Sequence, residues 1–140
     1  MDLTPSEMKA LKDASFTHNH PGGSGFSEDD LRTAITGDVA EMRVVTKAGT
    51  FIIEKPDSGW HRGLFFEFQK AEPAATSKIL DGFTSGKYKS VDEADSALNH
   101  EQMLIALQNL KTEKPKYRVE RNWTNKQHKT KRDKNGIRIL

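Results

Sequence analysis

The feature that most constrains this chain is a run in which two histidines, a glycine-rich loop and an acidic helix start follow one another. His18 and His20 stand two residues apart at the end of a short apolar stretch. In an extended segment alternate side chains share a face, so both imidazoles can point to the same side. Pro21 and three glycines then form a loop, which Ser27-x-x-Asp30 closes where a helical pattern begins.

This arrangement predicts a metal site with three protein ligands. A strand end would supply the nitrogens of His18 and His20, and a helix start would supply the carboxylate of Asp30. Three ligands with a fourth position open are typical of catalytic zinc. Ser27-x-x-Asp30 is also an ordinary capping box, so the prediction depends on its combination with His-x-His-Pro.

The same residues resemble the JAMM metalloprotease signature, also called MPN or JAB. The run Phe16-Thr-His-Asn-His-Pro-Gly-Gly, followed by Phe26-Ser-x-x-Asp-Leu and Glu41-Met-Arg-Val-Val, is most similar to HNHP-bearing domains found with phage head-morphogenesis and toxin-like proteins. The resemblance covers about residues 3 to 60. It implies an α+β fold with a shortened JAMM-like (cytidine-deaminase-like) sheet.

The resemblance also implies roles for individual residues. His18, His20 and Asp30 would bind zinc, and Ser27 would stabilise an oxyanion. JAMM enzymes carry a catalytic glutamate on a strand well upstream of the histidines. Only seventeen residues precede His18, and none of them matches that glutamate. The spacer from Pro21 to Ser27 is also one residue shorter than is typical of the family.

A proton acceptor for hydrolysis must therefore come from elsewhere in the chain or from a partner. Glu41 and Glu54, in a predicted hairpin, are the first candidates, and Glu7 and Glu67 are others. Glu7 is better explained as the partner of Thr4 in a capping box, since Pro5 suits the first helical position.

Composition narrows the class of protein. The chain has 140 residues, no cysteine, and an apolar fraction of 34%. Disulfides and thiolate zinc sites are thereby excluded. No apolar run approaches the roughly 18 residues of a membrane span, and no signal peptide is evident. We therefore expect a soluble, cytoplasmic protein, located in the host cell if it is phage-encoded.

Hydrophobic periodicity predicts the remaining elements. A helix should end at a Gly37 cap, and a hairpin should join 41–46 to 50–54 with its apolar residues at alternate positions. Residues 60–70 could be helix or strand, and Glu72-Pro73 should interrupt the pattern before it resumes at 74–83. A long helix should run from a cap at Ser90 to about Lys111, and 116–121 should be a strand.

We divide the chain into a JAMM-like core at 1–60, a helical extension with a terminal strand at 61–120, and a basic tail at 121–140. Residues 111–140 hold eleven Lys and Arg against three acidic residues, a net charge of +8, which leaves −6 for the rest. Such a segment can bind nucleic acid, although a solvated tail is the simpler interpretation.

Two main functional hypotheses follow. The first is a zinc-dependent hydrolase that acts on a peptide or isopeptide bond. The second is a non-catalytic module that binds a metal, a partner or nucleic acid. A metal-dependent nuclease is a weaker third alternative. The sequence gives no indication of the oligomeric state.

Overall fold

A computed structural model of the protein describes residues 4–20, 24–47 and 49–121. The described elements are helix α1 (Pro5–Ala10), strand β1 (Ser15–Asn19), helix α2 (Glu28–Gly37), strands β2 (Glu41–Val45) and β3 (Gly49–Glu54), helices α3 (Gly63–Thr84) and α4 (Val91–Asn109), and strand β4 (Lys116–Arg121). The fold is α+β, as the sequence predicts. None of the described helices combines the length and apolar character needed to span a bilayer.

The four strands form one mixed sheet in the order β1-β2-β3-β4. β1 and β2 are parallel and are joined through α2, whereas β2–β3 and β3–β4 are antiparallel. One row across the sheet contains His18, Val44, Phe51 and Val119. Side chains in one row share a face, and Val44 and Phe51 are buried. His18 therefore projects toward the core side of the sheet.

The core draws on both halves of the sequence. Its buried residues are Leu11, Phe26, Leu31, Ala34, Val39, Met42, Val44, Phe51, Ile53, Leu64, Phe68, Met103, Ala106 and Leu110. β4 pairs along the whole of β3. The segments assigned to 1–60 and 61–120 thus share one sheet and one core. Arg121 ends β4, and the rest of the predicted basic tail, 122–140, lies outside the described residues.

The C-terminus of α2 differs from the expected glycine cap. Gly37 is the last helical residue, and the left-handed conformation falls on Asp38, with φ of 56°. The glycine is needed for a different reason. A Cβ at position 37 would lie 2.8 Å from Cδ1 of Leu11, so the missing side chain lets Leu11 pack closely against α2.

The expected break at Pro73 is wrong, because α3 continues through it. Proline removes one backbone donor and frees the carbonyl of residue 69. Both Gln69 and Pro73 are exposed, so water can bind that carbonyl. The buried stripe of α3, which includes Phe68, Ala71 and Ala75, continues on the opposite side of the helix. Gln102 from α4 also donates to the carbonyl of Phe68 at 2.8 Å. Tertiary packing thus keeps α3 continuous at Pro73, where the low helix propensity of proline would otherwise interrupt it.

Pro73→Ala is expected to stabilise the protein by about 1 to 2 kcal/mol, because it restores a helical hydrogen bond and removes a steric clash. The measurement is the free energy of unfolding in urea. Glu72→Ala, at the neighbouring exposed position, is the control and should change stability by less than about 0.5 kcal/mol. A Pro73→Ala protein less stable than wild type would contradict the continuous helix.

Candidate metal centre

The two histidines emerge from the carboxyl end of β1. His18 lies within the strand, and the backbone N–H of His20 extends the pairing by donating to Val45 at 2.9 Å. The imidazole centroids are 4.6 Å apart, with an angle of 80° between the rings. Alternation along an extended backbone therefore brings both side chains to the core side, as the spacing predicts.

The carboxylate of the cluster belongs to Asp30, in the first turn of α2. Ser27 caps the helix through Oγ, which accepts from the Asp30 N–H at 3.2 Å. Asp30 Oδ2 accepts in return from the Ser27 N–H at 2.9 Å. This reciprocal capping box fixes the Asp30 side chain, which is 0% exposed. A helix N-terminus favours negative charge, so it lowers the cost of burying this carboxylate.

The three side chains meet around Asp30. His18 Nδ1 lies 2.9 Å from Asp30 Oδ1, and His20 Nε2 lies 3.3 Å from Asp30 Oδ2. One ligand atom from each residue falls within 4.8 Å of the other two, so the group could hold a metal ion. Among the described residues, no other His, Asp or Glu forms such a group.

A hydrogen bond to the loop fixes the tautomer of His20. His20 Nδ1 lies 3.0 Å from the carbonyl oxygen of Ser24. A carbonyl only accepts, so Nδ1 carries the proton and neutral His20 presents a lone pair at Nε2. That lone pair faces the buried Asp30 Oδ2, which is also an acceptor. A metal cation between these two atoms would make the contact favourable.

The loop that precedes α2 is anchored in the core. Phe26 is 1% exposed, and its ring lies 6.3 Å from that of Tyr117 on β4. A Cβ at Gly25 would approach the Phe51 ring to 3.1 Å. Glycine at position 25 therefore lets the backbone lie directly on the sheet. Pro21, Gly22 and Gly23 lie outside the described residues.

Glu41 and Glu54 do not reach the histidines. Glu41 lies in register with Ser15 and Glu54. The side chains of this row are on the face of the sheet opposite to that of His18. Its carboxylate accepts from Arg43 at 2.6 Å and from Ser15 at 2.9 Å. Burial would raise the pKa of Glu41, but these hydrogen bonds outweigh it and hold the pKa below its ordinary value. Glu41 is thus an ionised carboxylate committed to the other face of the sheet.

The other glutamates considered from sequence are also occupied elsewhere. Glu54 accepts from Arg118 at 2.6 Å on the same outer face as Glu41. Glu7 accepts from the backbone N–H of Thr4 at 2.9 Å, as a capping box requires. Glu67 pairs with Lys70 at 3.3 Å. The structure therefore brings His18, His20, Asp30 and Ser27 together and none of the four glutamates.

Sequence reasoning missed the contribution of Ser24. Its carbonyl orients His20, and a backbone carbonyl is one of the usual acceptors for the second ring nitrogen of a metal-binding histidine. A backbone carbonyl has no residue-type signature, so only the path of the loop could show it. Comparison of the chain with protein-family models, with curated proteins and with solved structures gave no match.

Proposed function

We propose that the protein binds one zinc ion through His18, His20 and Asp30, in a hydrolase-like centre for a peptide or isopeptide bond. The observation that supports this proposal is the convergence of two imidazole nitrogens on the fully buried carboxylate of Asp30. Burying an ionised carboxylate is costly unless a cation or several donors compensate it. A divalent ion at the cluster would add to the compensation that the Ser27 N–H and the N-terminus of α2 already provide.

The donor set fits zinc. Two imidazole nitrogens and one carboxylate oxygen match the borderline character of this ion, and a three-ligand set leaves a position open. The Ser24 carbonyl already holds the proton of His20 on Nδ1, so Nε2 is free to bind. When bound, zinc would polarise a carbonyl group and lower the pKa of a bound water to about 7.

The remaining chemistry falls to side chains of this chain. Ser27 uses its oxygen as the cap acceptor for Asp30 N–H, which leaves its hydroxyl proton able to donate. That proton would stabilise negative charge on the oxygen of a scissile carbonyl. The N-terminus of α2 adds a favourable dipole at the same place. His18, whose side chain is 34% exposed, would form the solvent-facing wall of the site.

A second candidate is a metal-binding module without catalysis. The observation that favours it is the placement of Glu41 and Glu54 on the outer face, where neither can accept a proton at the cluster. General-base help is typically worth about 10² to 10⁴ in rate. Nucleic-acid binding through 111–140 and nuclease activity stay predictions, and residues 122–140 lie outside the described part of the chain.

The test is elemental analysis of protein purified without a histidine tag, combined with a protease assay on fluorescein-labelled casein. We expect about one zinc per chain, as a site with three protein ligands would retain. Casein cleavage that requires the zinc would favour the hydrolase, whereas zinc without cleavage would favour the binding module. Protein that takes up no zinc from buffered solution would refute both.

The Glu41→Gln and Glu54→Gln variants are expected to retain the zinc content and any casein cleavage of wild type. Both carboxylates lie on the face opposite the cluster, so their charge is not available to a water there. If one of the variants lost activity but kept its zinc, the glutamate replaced in that variant would be the proton acceptor. Unfolding in urea serves as the control, because loss of the Arg43 or Arg118 hydrogen bond should lower stability slightly.

A further inference from the structure

The two edges of the sheet differ in how they are protected. β4 has Lys116, Arg118 and Glu120 among its residues. β1, at the opposite edge, reads Ser-Phe-Thr-His-Asn and carries no Lys, Arg, Asp, Glu or Pro. Charged residues and proline are the usual means of blocking an edge strand from further pairing. Along its described length, β1 therefore lacks the protection that β4 has.

The backbone groups of β1 alternate between the sheet and the open edge. The carbonyl of Ala14 accepts from Glu41, and the N–H of His20 donates to Val45. Residues of the same parity, including His18, thus direct their N–H and C=O toward β2. Ser15, Thr17 and Asn19 direct theirs outward, and all three residues are exposed. β1 pairs with β2 alone among the described strands.

We propose that an extended peptide pairs with the outer edge of β1 as an added strand, and that the substrate of the metal centre is held in this way. The role of this edge in holding a substrate rests on the proposed function. Addition of a strand to an open edge is a general mode of peptide recognition, in which backbone hydrogen bonds give affinity. The outward-facing N–H and C=O groups of Thr17 and Asn19 flank His18 on both sides and have no partner strand among the described residues, so the peptide would lie in register with the cluster.

The spacing of paired strands places such a peptide beside the metal ligands. A neighbouring strand lies about 4.8 Å away, and directly opposite residues share a face. The peptide residue opposite His18 would therefore project to the core side, next to the imidazole. The absence of charge on Ser15, Thr17 and Asn19 fits a peptide recognised through its backbone rather than through charged side chains.

Thr17 offers a direct test, because its backbone faces the open edge and its side chain is outside the metal cluster. The probe is a fluorescein-labelled decapeptide of alternating Thr and Val, and binding is measured by fluorescence anisotropy. Thr17→Pro removes the outward N–H and should weaken binding by about threefold to tenfold or more. Thr17→Val keeps the N–H and should bind as wild type does.

Amide hydrogen exchange on the unmodified protein gives a second readout that needs no variant. The peptide should slow exchange at Thr17 and Asn19 and leave the inward-facing amides of Phe16 and His18 unchanged. Unchanged exchange at Thr17 and Asn19, or slowing at β4 instead, would overturn the inference. The inference would also be overturned if the protein self-associated without the peptide and Thr17→Pro abolished that association, because a second copy would then occupy the edge.

Zinc analysis of the same samples separates this inference from the proposed function. Thr17→Pro should retain the zinc content of wild type, because the Thr17 side chain lies on the face opposite the cluster and its N–H is directed away from β2. Peptide pairing in a protein without zinc would support the added strand and refute its role in holding a substrate for the metal centre. A zinc-loaded protein whose edge shows no pairing would refute the added strand and leave the metal centre in place.

Discussion

Replacing His20 with alanine is expected to reduce the zinc content from about one ion per chain to near zero. Two ligands are too few for a stable zinc site in a protein. The change also frees the Ser24 carbonyl, which otherwise orients the ring. Zinc is measured by mass spectrometry after dialysis against buffer without metal, so that only tightly held ions remain.

His61→Ala is the matched control for this experiment. His61 lies outside the cluster, and its Nε2 is 2.9 Å from the hydroxyl of Ser58. Its removal deletes an imidazole of the same chemistry, so weak surface binding of zinc would fall equally in both variants. Equal zinc content in wild type and His20→Ala would rule out the site. Loss of zinc in His61→Ala but not in His20→Ala would place the ion elsewhere.

The sequence predicted that His18, His20 and Asp30 come together, because each residue is placed by a local rule. Alternation along an extended segment brings His18 and His20 together, and the capping box fixes Asp30 relative to Ser27. The position of Glu41 and Glu54 relative to the histidines depends instead on how two strands pair. The hairpin pattern sets Glu41 and Glu54 apart from Met42 and Val44, but only the parallel register of β1 with β2 shows that His18 shares the face of Val44.

For the fold as well, local features were predictable from the sequence and those that depend on tertiary packing were not. Caps at Thr4, Ser27 and Ser90 mark where three helices begin, and all three use their side chains as predicted. The continuity of α3 through Pro73 was not predictable, since it depends on a buried stripe and on the Gln102 hydrogen bond from α4. The pairing of β4 with β3 is likewise set by packing across more than sixty residues of sequence.

Asp30→Asn should separate the helix cap from the metal ligand. The amide oxygen of asparagine can still accept from the Ser27 N–H, so the cap is retained, whereas the charge that attracts a cation is lost. At a free zinc concentration a hundred times its Kd, wild type should gain about 2.7 kcal/mol in the free energy of unfolding. A variant with Kd raised a hundredfold should gain only about 0.4 kcal/mol at the same concentration.

Asp29→Asn provides the control for this comparison, because it removes a neighbouring charge from the same helical turn. The Asp29 side chain is exposed and pairs with Arg32 at 2.6 Å, so its loss leaves the cluster unchanged. We expect zinc to stabilise Asp29→Asn as much as wild type, as measured by urea unfolding with and without the metal. An equal gain in Asp30→Asn would show that general charge at the helix N-terminus, rather than ligation by Asp30, attracts the ion. A selective loss in Asp30→Asn would assign the buried carboxylate as a ligand, because the two variants change the dipole environment alike and differ in their contact with the histidines.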